Sequence, residues 1–279
     1  VDKNAHTKEW KITKEPTCIA EGEKQEVCTV CGEVFATEIV EKAEHTPSAE
    51  WKVTEAAHPY LEEGKKELLC TVCGEVLKTE VIPVKEYVKP TDVVDAWYES
   101  QVEYCVKHGL MAGMSDKEFG VSSTLTRDQF ILILARLANI DENAYKGGDI
   151  GFDDVPATHW GAWAIKWAHD EEITAGVGNG KFGVGQSLVR EQFAVLIYSY
   201  MEKVGKDITI DDAARANFRK YEDINKVSSW AVDGVTWAMS KGIIGSMVTG
   251  RYVFSPKSNV TRAQAAVMIR NIHSGGLFD

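Results

Sequence analysis

Three times between residues 90 and 273, a Phe is followed eight positions later by an Arg: Phe119 and Arg127, Phe182 and Arg190, Phe254 and Arg262. Upstream of each pair stands a Trp with another aromatic seven residues on: Trp97 and Tyr104, Trp160 and Trp167, Trp230 and Trp237. An acidic-aliphatic pair precedes each Trp by seven residues or fewer, at Asp92-Val93, Asp154-Val155 and Asp223-Ile224. The copies lie 63 to 72 residues apart, and agreement without gaps in all three marks a true internal repeat. A repeat of this kind restricts the fold sharply, because each copy must bury its apolar surface against its neighbours.

Each copy reads as helix, loop, helix. The first helix starts near the Trp and stops at Gly109-Leu110 or Gly242-Ile243, a usual way to end a helix; copy two has Glu172 where the Gly is expected. The second helix opens with Thr126-Arg127-Asp128-Gln129 or Thr261-Arg262-Ala263-Gln264. This Thr-x-x-Gln is a capping box, which satisfies otherwise unpaired backbone N–H groups. Copy two has Val189 in place of its Thr. The helix then runs into FILILARL, FAVLIYSYM or AAVMIRNI, apolar nearly all round. One copy cannot hide such a helix, whereas three packed around a shared axis can.

A different repeat, with a period of 42, fills the front of the chain: CTVCGEVFATE from Cys28 and CTVCGEVLKTE from Cys70. Residues 1–86 hold 11 Lys, no Arg and 18 acidic residues, while all eight Arg lie at or beyond Arg127. That step in composition sets a domain boundary at the linker Pro83 to Pro90. Alternating and β-branched residues at Glu33 to Val40 and Glu75 to Ile82 predict short strands. The expected organisation is a first Cys/His β-module over 1–44, a second over 45–86, and a repeat domain over 87–279. Its copies cover about 90–140, 150–203 and 219–273.

The order Asp-Val, Trp, aromatic, Gly-Leu or Gly-Ile, Phe, then Thr-Arg-x-Gln resembles the S-layer homology motif over about residues 90–273. Gln129, Gln192 and Gln264 stand where the family signature Thr-Arg-Ala-Glu ends in Glu. The resemblance implies a mainly α, pseudo-threefold domain of three motifs, here preceded by the small β-rich pair of Cys/His modules. It also implies a secreted bacterial protein, held without covalent bonds on secondary cell-wall polysaccharide that often carries pyruvate ketals. The expected location is therefore extracellular, at the cell wall.

Arg127, Arg190 and Arg262 each stand at the first turn of a helix, where N–H groups and the dipole favour an anion. A guanidinium there can fork onto a ketal carboxylate, or it can simply pair with an acidic neighbour. Trp97, Trp160 and Trp230 offer flat faces to a sugar ring or lie in the core; Trp167 and Trp237, one turn deeper, read as core. Asp92, Asp154 and Asp223 cap the approach to the first helix or contribute to the ligand site. With Glu172 and Val189, copy two is the expected weakest site. Cys105 reads as a buried thiol, and His108, His159, His169 and His273 as surface or loop residues.

In each Cys-x-x-Cys-Gly knuckle two thiolates can grip one ion while Gly permits the turn. Grouping by copy gives His6, Cys18, Cys28 and Cys31, then His45, His58, Cys70 and Cys73, four zinc-type ligands each. Structural zinc is the first reading, and the modules resemble zinc ribbons. Two alternatives stand beside it: disulfides, as an oxidising compartment favours, and thioredoxin-like redox chemistry, which no strand-helix-strand pattern supports here.

A formal charge of −11 argues against nucleic acid, and no run of about 18 apolar residues suggests a membrane span. The chain lacks Gly-x-Ser-x-Gly and His-Glu-x-x-His and is not expected to be an enzyme. The competing readings are a self-assembling S-layer scaffold and the non-catalytic part of a surface glycosidase.

Overall fold

Strand pairing at the front of the chain follows the period of 42. A computed structural model describes residues 6–58 and 60–277, and its two compact units are Val1–Glu86 and Tyr87–Asp279. In the first unit β1 (Lys8–Lys14), β2 (Gly22–Cys28) and β3 (Val34–Val40) pair antiparallel in that order. The second module repeats this with β4 (Lys52–Glu55), β5 (Gly64–Leu69) and β6 (Val76–Ile82). Each knuckle is the turn between the second and third strand. Gly32 and Gly74 both sit at φ 76°, where a side chain would be strained, and donate to Cys28 O and Cys70 O at 2.9 Å. Among this unit's described residues only Gly22, Cys28, Gly64 and Cys70 are fully buried. Two of these four are glycines, so the modules have no hydrophobic core of ordinary kind.

The second unit is helical. Its helices are α1 (Glu99–Lys107), α2 (Arg127–Leu137), α3 (Ala162–Asp170), α4 (Arg190–Lys203), α5 (Asp212–Phe218), α6 (Val232–Ser240) and α7 (Arg262–Ser274). The first helix of each copy ends in a Schellman turn. Leu110, Ile173 and Ile243 donate back to Cys105, Ala168 and Ala238 at 2.9, 2.8 and 3.0 Å. The left-handed position is Gly109 (φ 67°), Gly242 (φ 69°) and, in copy two, Glu172 (φ 56°). The glutamine half of the capping box forms in all three copies: the N–H of Thr126, Val189 and Thr261 donates to Gln129, Gln192 and Gln264. Val189 has no hydroxyl to complete its box.

Packing runs between copies rather than within them. The second helix of each copy lies on the first helix of the next: α2 on α3, α4 on α6, and α7 back on α1. The core they enclose holds Phe119, Phe182 and Phe254 with Phe130, Phe193 and Trp237, all at 0% exposure. The chain as a whole does not meet the mainly α expectation. It is 30% helix and 18% strand, because two three-stranded sheets fill the front and long loops separate short helices behind. α5, in the connection from copy two to copy three, had no counterpart in the repeat pattern.

Candidate functional site

Each second helix sends its first-turn Arg out of its own copy. Arg127 Nε donates to Phe182 O at 3.0 Å, Arg190 Nε to Phe254 O at 2.7 Å, and Arg262 Nε to Phe119 O at 3.0 Å. Each guanidinium also lies over the ring of the same Phe, 4.7 to 5.2 Å from its centre. The partners run from copy one to two, two to three and three to one, so the circle closes. Backbone bonds close it again: Leu125 donates to Val260 O, Val260 to Leu188 O and Leu188 to Leu125 O, at 2.8, 2.9 and 2.8 Å. All three arginines are buried, and burial lowers their pKa, to about 10 for Arg190. The next copy's Asp154, Asp223 or Asp92 opposes that drop and keeps the charge in place.

Those aspartates clamp the loop after the repeat Phe rather than capping a first helix. Asp92 accepts from the N–H groups of Phe119, Gly120 and Val121 at 2.8 to 3.0 Å. Asp154 accepts likewise from Phe182, Gly183 and Val184, and Asp223 from Phe254 and Ser255. Burial pushes the Asp92 and Asp154 carboxyls up, but the N–H bonds together outweigh it and hold both below the ordinary value. Every Asp thus fixes the loop whose carbonyl the preceding copy's Arg engages.

The tryptophans divide cleanly. Trp97, Trp160 and Trp230 are 71%, 53% and 59% exposed, whereas Trp167 and Trp237 are buried. Trp230 and Arg127 share a groove of about 560 Å³ with Gln192, Ser199 and the 172–177 segment of copy two. A second groove, of about 770 Å³, sets Trp97 against Tyr252 and the 246–252 loop of copy three. The arginines differ in their outer edge. Arg190 Nη2 donates to Gly245 O at 2.6 Å and Arg262 Nη2 donates to Ala112 O. Arg127 makes no such bond from its Nη groups among the described residues, and it lines the groove with Trp230.

Sequence reading missed the acids that hold the exposed tryptophans in place. Buried Glu191 accepts from the N–H and the hydroxyl of Ser228, both at 3.0 Å, two residues before Trp230, and pairs with Lys257. Asp128 lies 3.4 Å from His159 Nε2, beside Trp160. The signal was an acid at the second helical position of copies one and two; copy three has Ala263 there. Of the histidines, His169 is exposed and His159 lies in a loop, as expected. His159 is mostly buried, and His108 stacks on Tyr104, whose hydroxyl bonds His273 Nδ1 at 2.7 Å. Cys105 is buried, donates to Ala266 O, and burial pushes its thiol up to about 12.

All five cysteines of the first unit are free, the four of the knuckles and Cys18. The structure brings Cys18, His45, Cys70 and Cys73 together, their ligand atoms within 4.8 Å of one another. His6, Cys28 and Cys31 form a second such group, and His58 joins neither. The grouping by copy is thus replaced by one in which Cys18 crosses to the other module. The reason is strand length. Cys18 sits in the β1–β2 turn, at the opposite end of β2 from the knuckle, roughly 20 Å away for seven extended residues.

A family model for the S-layer homology domain matches residues 91–131, 151–194 and 220–266. The C-terminal unit is an S-layer homology domain of three motifs. The chain is 30% identical over 186 residues to the exoglucanase XynX of Acetivibrio thermocellus, covering 67% of this chain and 16% of that protein. It is 30% identical over 161 residues to the cellulosome-anchoring protein of the same organism, covering 57% of this chain and 34% of that protein. It is 23% identical over 176 residues to the surface-layer 125 kDa protein of Lysinibacillus sphaericus, covering 63% and 14%. The chain therefore spans about a third or less of the length of these relatives. One of these is named for anchoring and one for the surface layer, in agreement with the extracellular location expected from the repeats. No helix among the described residues is long and apolar enough to cross a membrane.

Proposed function

We propose that this chain anchors a bacterial surface protein to secondary cell-wall polysaccharide, and that the groove between Arg127 and Trp230 is its principal site. The S-layer homology domain is a non-catalytic anchoring module, and relatives with enzyme names carry it as a small part of their length. The observation that carries the reading is the pairing, in one groove, of an exposed indole with an Arg whose Nη edge has no protein partner among the described residues. The indole gives an apolar face to a sugar ring. The guanidinium gives a fork for a carboxylate, such as a pyruvate ketal supplies. The net negative charge of the chain makes this local cation the more necessary for holding an anionic polymer. Glu172 borders the same groove, but its carboxylate is paired with Lys203 at 3.0 Å.

The test is co-sedimentation with cell walls before and after removal of the secondary polymer, using the wild-type chain, Arg127→Lys and Trp230→Ala. Binding that needs the polymer and falls about tenfold or more in either variant supports the site. Binding that survives stripping, with ordered assembly at rising concentration, favours a self-assembling scaffold instead. Walls from which pyruvate alone has been removed would tell whether the carboxylate is required.

A further inference from the structure

The first unit has two three-stranded sheets and, among its described residues, only four fully buried positions. Apolar burial on that scale does not hold 86 residues folded, and small domains of this kind are completed by a disulfide or a metal. We propose that Cys18, His45, Cys70 and Cys73 form a tetrahedral centre for a zinc-class divalent ion, and that this ion joins the two β-modules.

The distances suit a metal. Zinc–sulfur bonds of about 2.3 Å at a tetrahedral angle set two sulfurs about 3.8 Å apart, and a sulfur and an imidazole nitrogen about 3.6 Å apart. Cys18 Sγ lies 3.7 Å from Cys70 Sγ, and Cys73 Sγ lies 3.4 Å from His45 Nδ1. The surroundings suit it too. Glu75 Oε2 stands 3.3 Å from His45 Nε2, so the carboxylate takes the far N–H and leaves Nδ1 as the ligand atom. Backbone N–H groups of Cys73 and Val72 point at the Cys70 sulfur. Thr71 N–H bonds Thr46 O at 2.9 Å, which keeps His45 beside the knuckle. Three sulfurs and one nitrogen, with no carboxylate in the set, favour zinc over calcium or magnesium.

What is new is the origin of the fourth ligand. Cys18 comes from the turn between β1 and β2, 52 residues before Cys70. The matching turn of the second module carries His58, which stays outside the cluster. The modules are therefore not two separate ribbons: one supplies part of the other's centre.

The test uses the full chain carrying Cys28→Ser and Cys31→Ser, which removes the thiolates of the other group, titrated with Co²⁺ and then Zn²⁺ against a chromophoric chelator. One Co²⁺ should bind, and adding Cys18→Ser should remove about a third of the thiolate-to-cobalt absorption and weaken Zn²⁺ at least tenfold. His58→Asn should change neither. In the chain with its knuckles intact, Cys18→Ser should open the 41–51 connection to protease even with zinc present, and His58→Asn should not. Loss of metal in His58→Asn with none in Cys18→Ser would restore two self-contained modules. No stoichiometric Co²⁺ or Zn²⁺ at all would overturn the centre.

Discussion

Arg190 Nη2 donates to Gly245 O, whereas the matching edge of Arg127 makes no hydrogen bond to a described residue, although both arginines reach the next copy's Phe carbonyl through Nε. On the proposed reading the same repeat position has two duties. Removing Arg190 strips two charge-assisted bonds and leaves two carbonyls unmet, so Arg190→Ala should cost about 3–5 kcal/mol in urea unfolding. Arg127→Ala removes one such bond and should cost about 1.5–3 kcal/mol. Its larger effect should be on wall binding, measured under conditions where the variant is still folded.

Trp230 separates binding from stability more sharply. Its ring is 59% exposed, so Trp230→Ala should change unfolding free energy by about 1 kcal/mol or less while weakening co-sedimentation with walls. Glu191→Ala should act on the same groove indirectly. It frees Ser228 and Lys257, and should lower affinity together with melting temperature.

Copy two carries two local mismatches that can be repaired. Glu172 holds a left-handed backbone where the other copies have Gly, and its ion pair with Lys203 is exposed and weak. Glu172→Gly should stabilise the domain by about 1 kcal/mol. Val189→Thr should add about 0.5–1 kcal/mol by giving the α4 N-terminus the hydroxyl that Thr261 gives α7, where it accepts from Gln264 N–H. Thermal unfolding of the single and double variants checks both, and their gains should nearly add.

Acid should loosen the joints between copies. Asp92 and Asp154 have folded pKa values below the unfolded one, so their contribution is present above about pH 4 and is lost as pH falls through the folded values. Melting temperature should hold from neutral pH down to about 5 and then fall. In Asp154→Asn the stability at neutral pH should be lower and the acid-dependent fall smaller.

Cys105 should resist alkylation at pH 8 in the folded chain, since its thiol is buried and pushed up to about 12. Mass spectrometry after iodoacetamide, with and without denaturant, reads this directly.

The parts legible in sequence were those decided within a few residues. Gly109 and Gly242 announced the helix stops, Glu172 was identified as standing in the same place, and the Thr-x-x-Gln box with the apolar run behind it gave the second helices. What lay beyond reach was decided between copies. That Arg127 engages Phe182 rather than an acidic neighbour of its own follows from α2 lying on α3, which no local pattern encodes. The exposure of Trp160 and Trp230 has the same cause: the core is filled seven residues further along, by Trp167 and Trp237. In the front unit the candidate ligand types were plain from spacing, but their grouping was not. Copies of a repeat invite self-contained sets, and only the reach of β2 shows that Cys18 cannot turn back to its own knuckle.

Leu125, Leu188 and Val260 are joined head to tail by three backbone bonds, each residue giving one hydrogen and taking one. Such a loop is complete at three members. A pair would leave one donor and one acceptor facing water, and a fourth copy would find no group left to bind. Copy number is therefore a whole-number property of the geometry. The joints are also indifferent to which peptide link carries the chain from one copy to the next, so a version cut between copies two and three and rejoined elsewhere should rebuild the same domain.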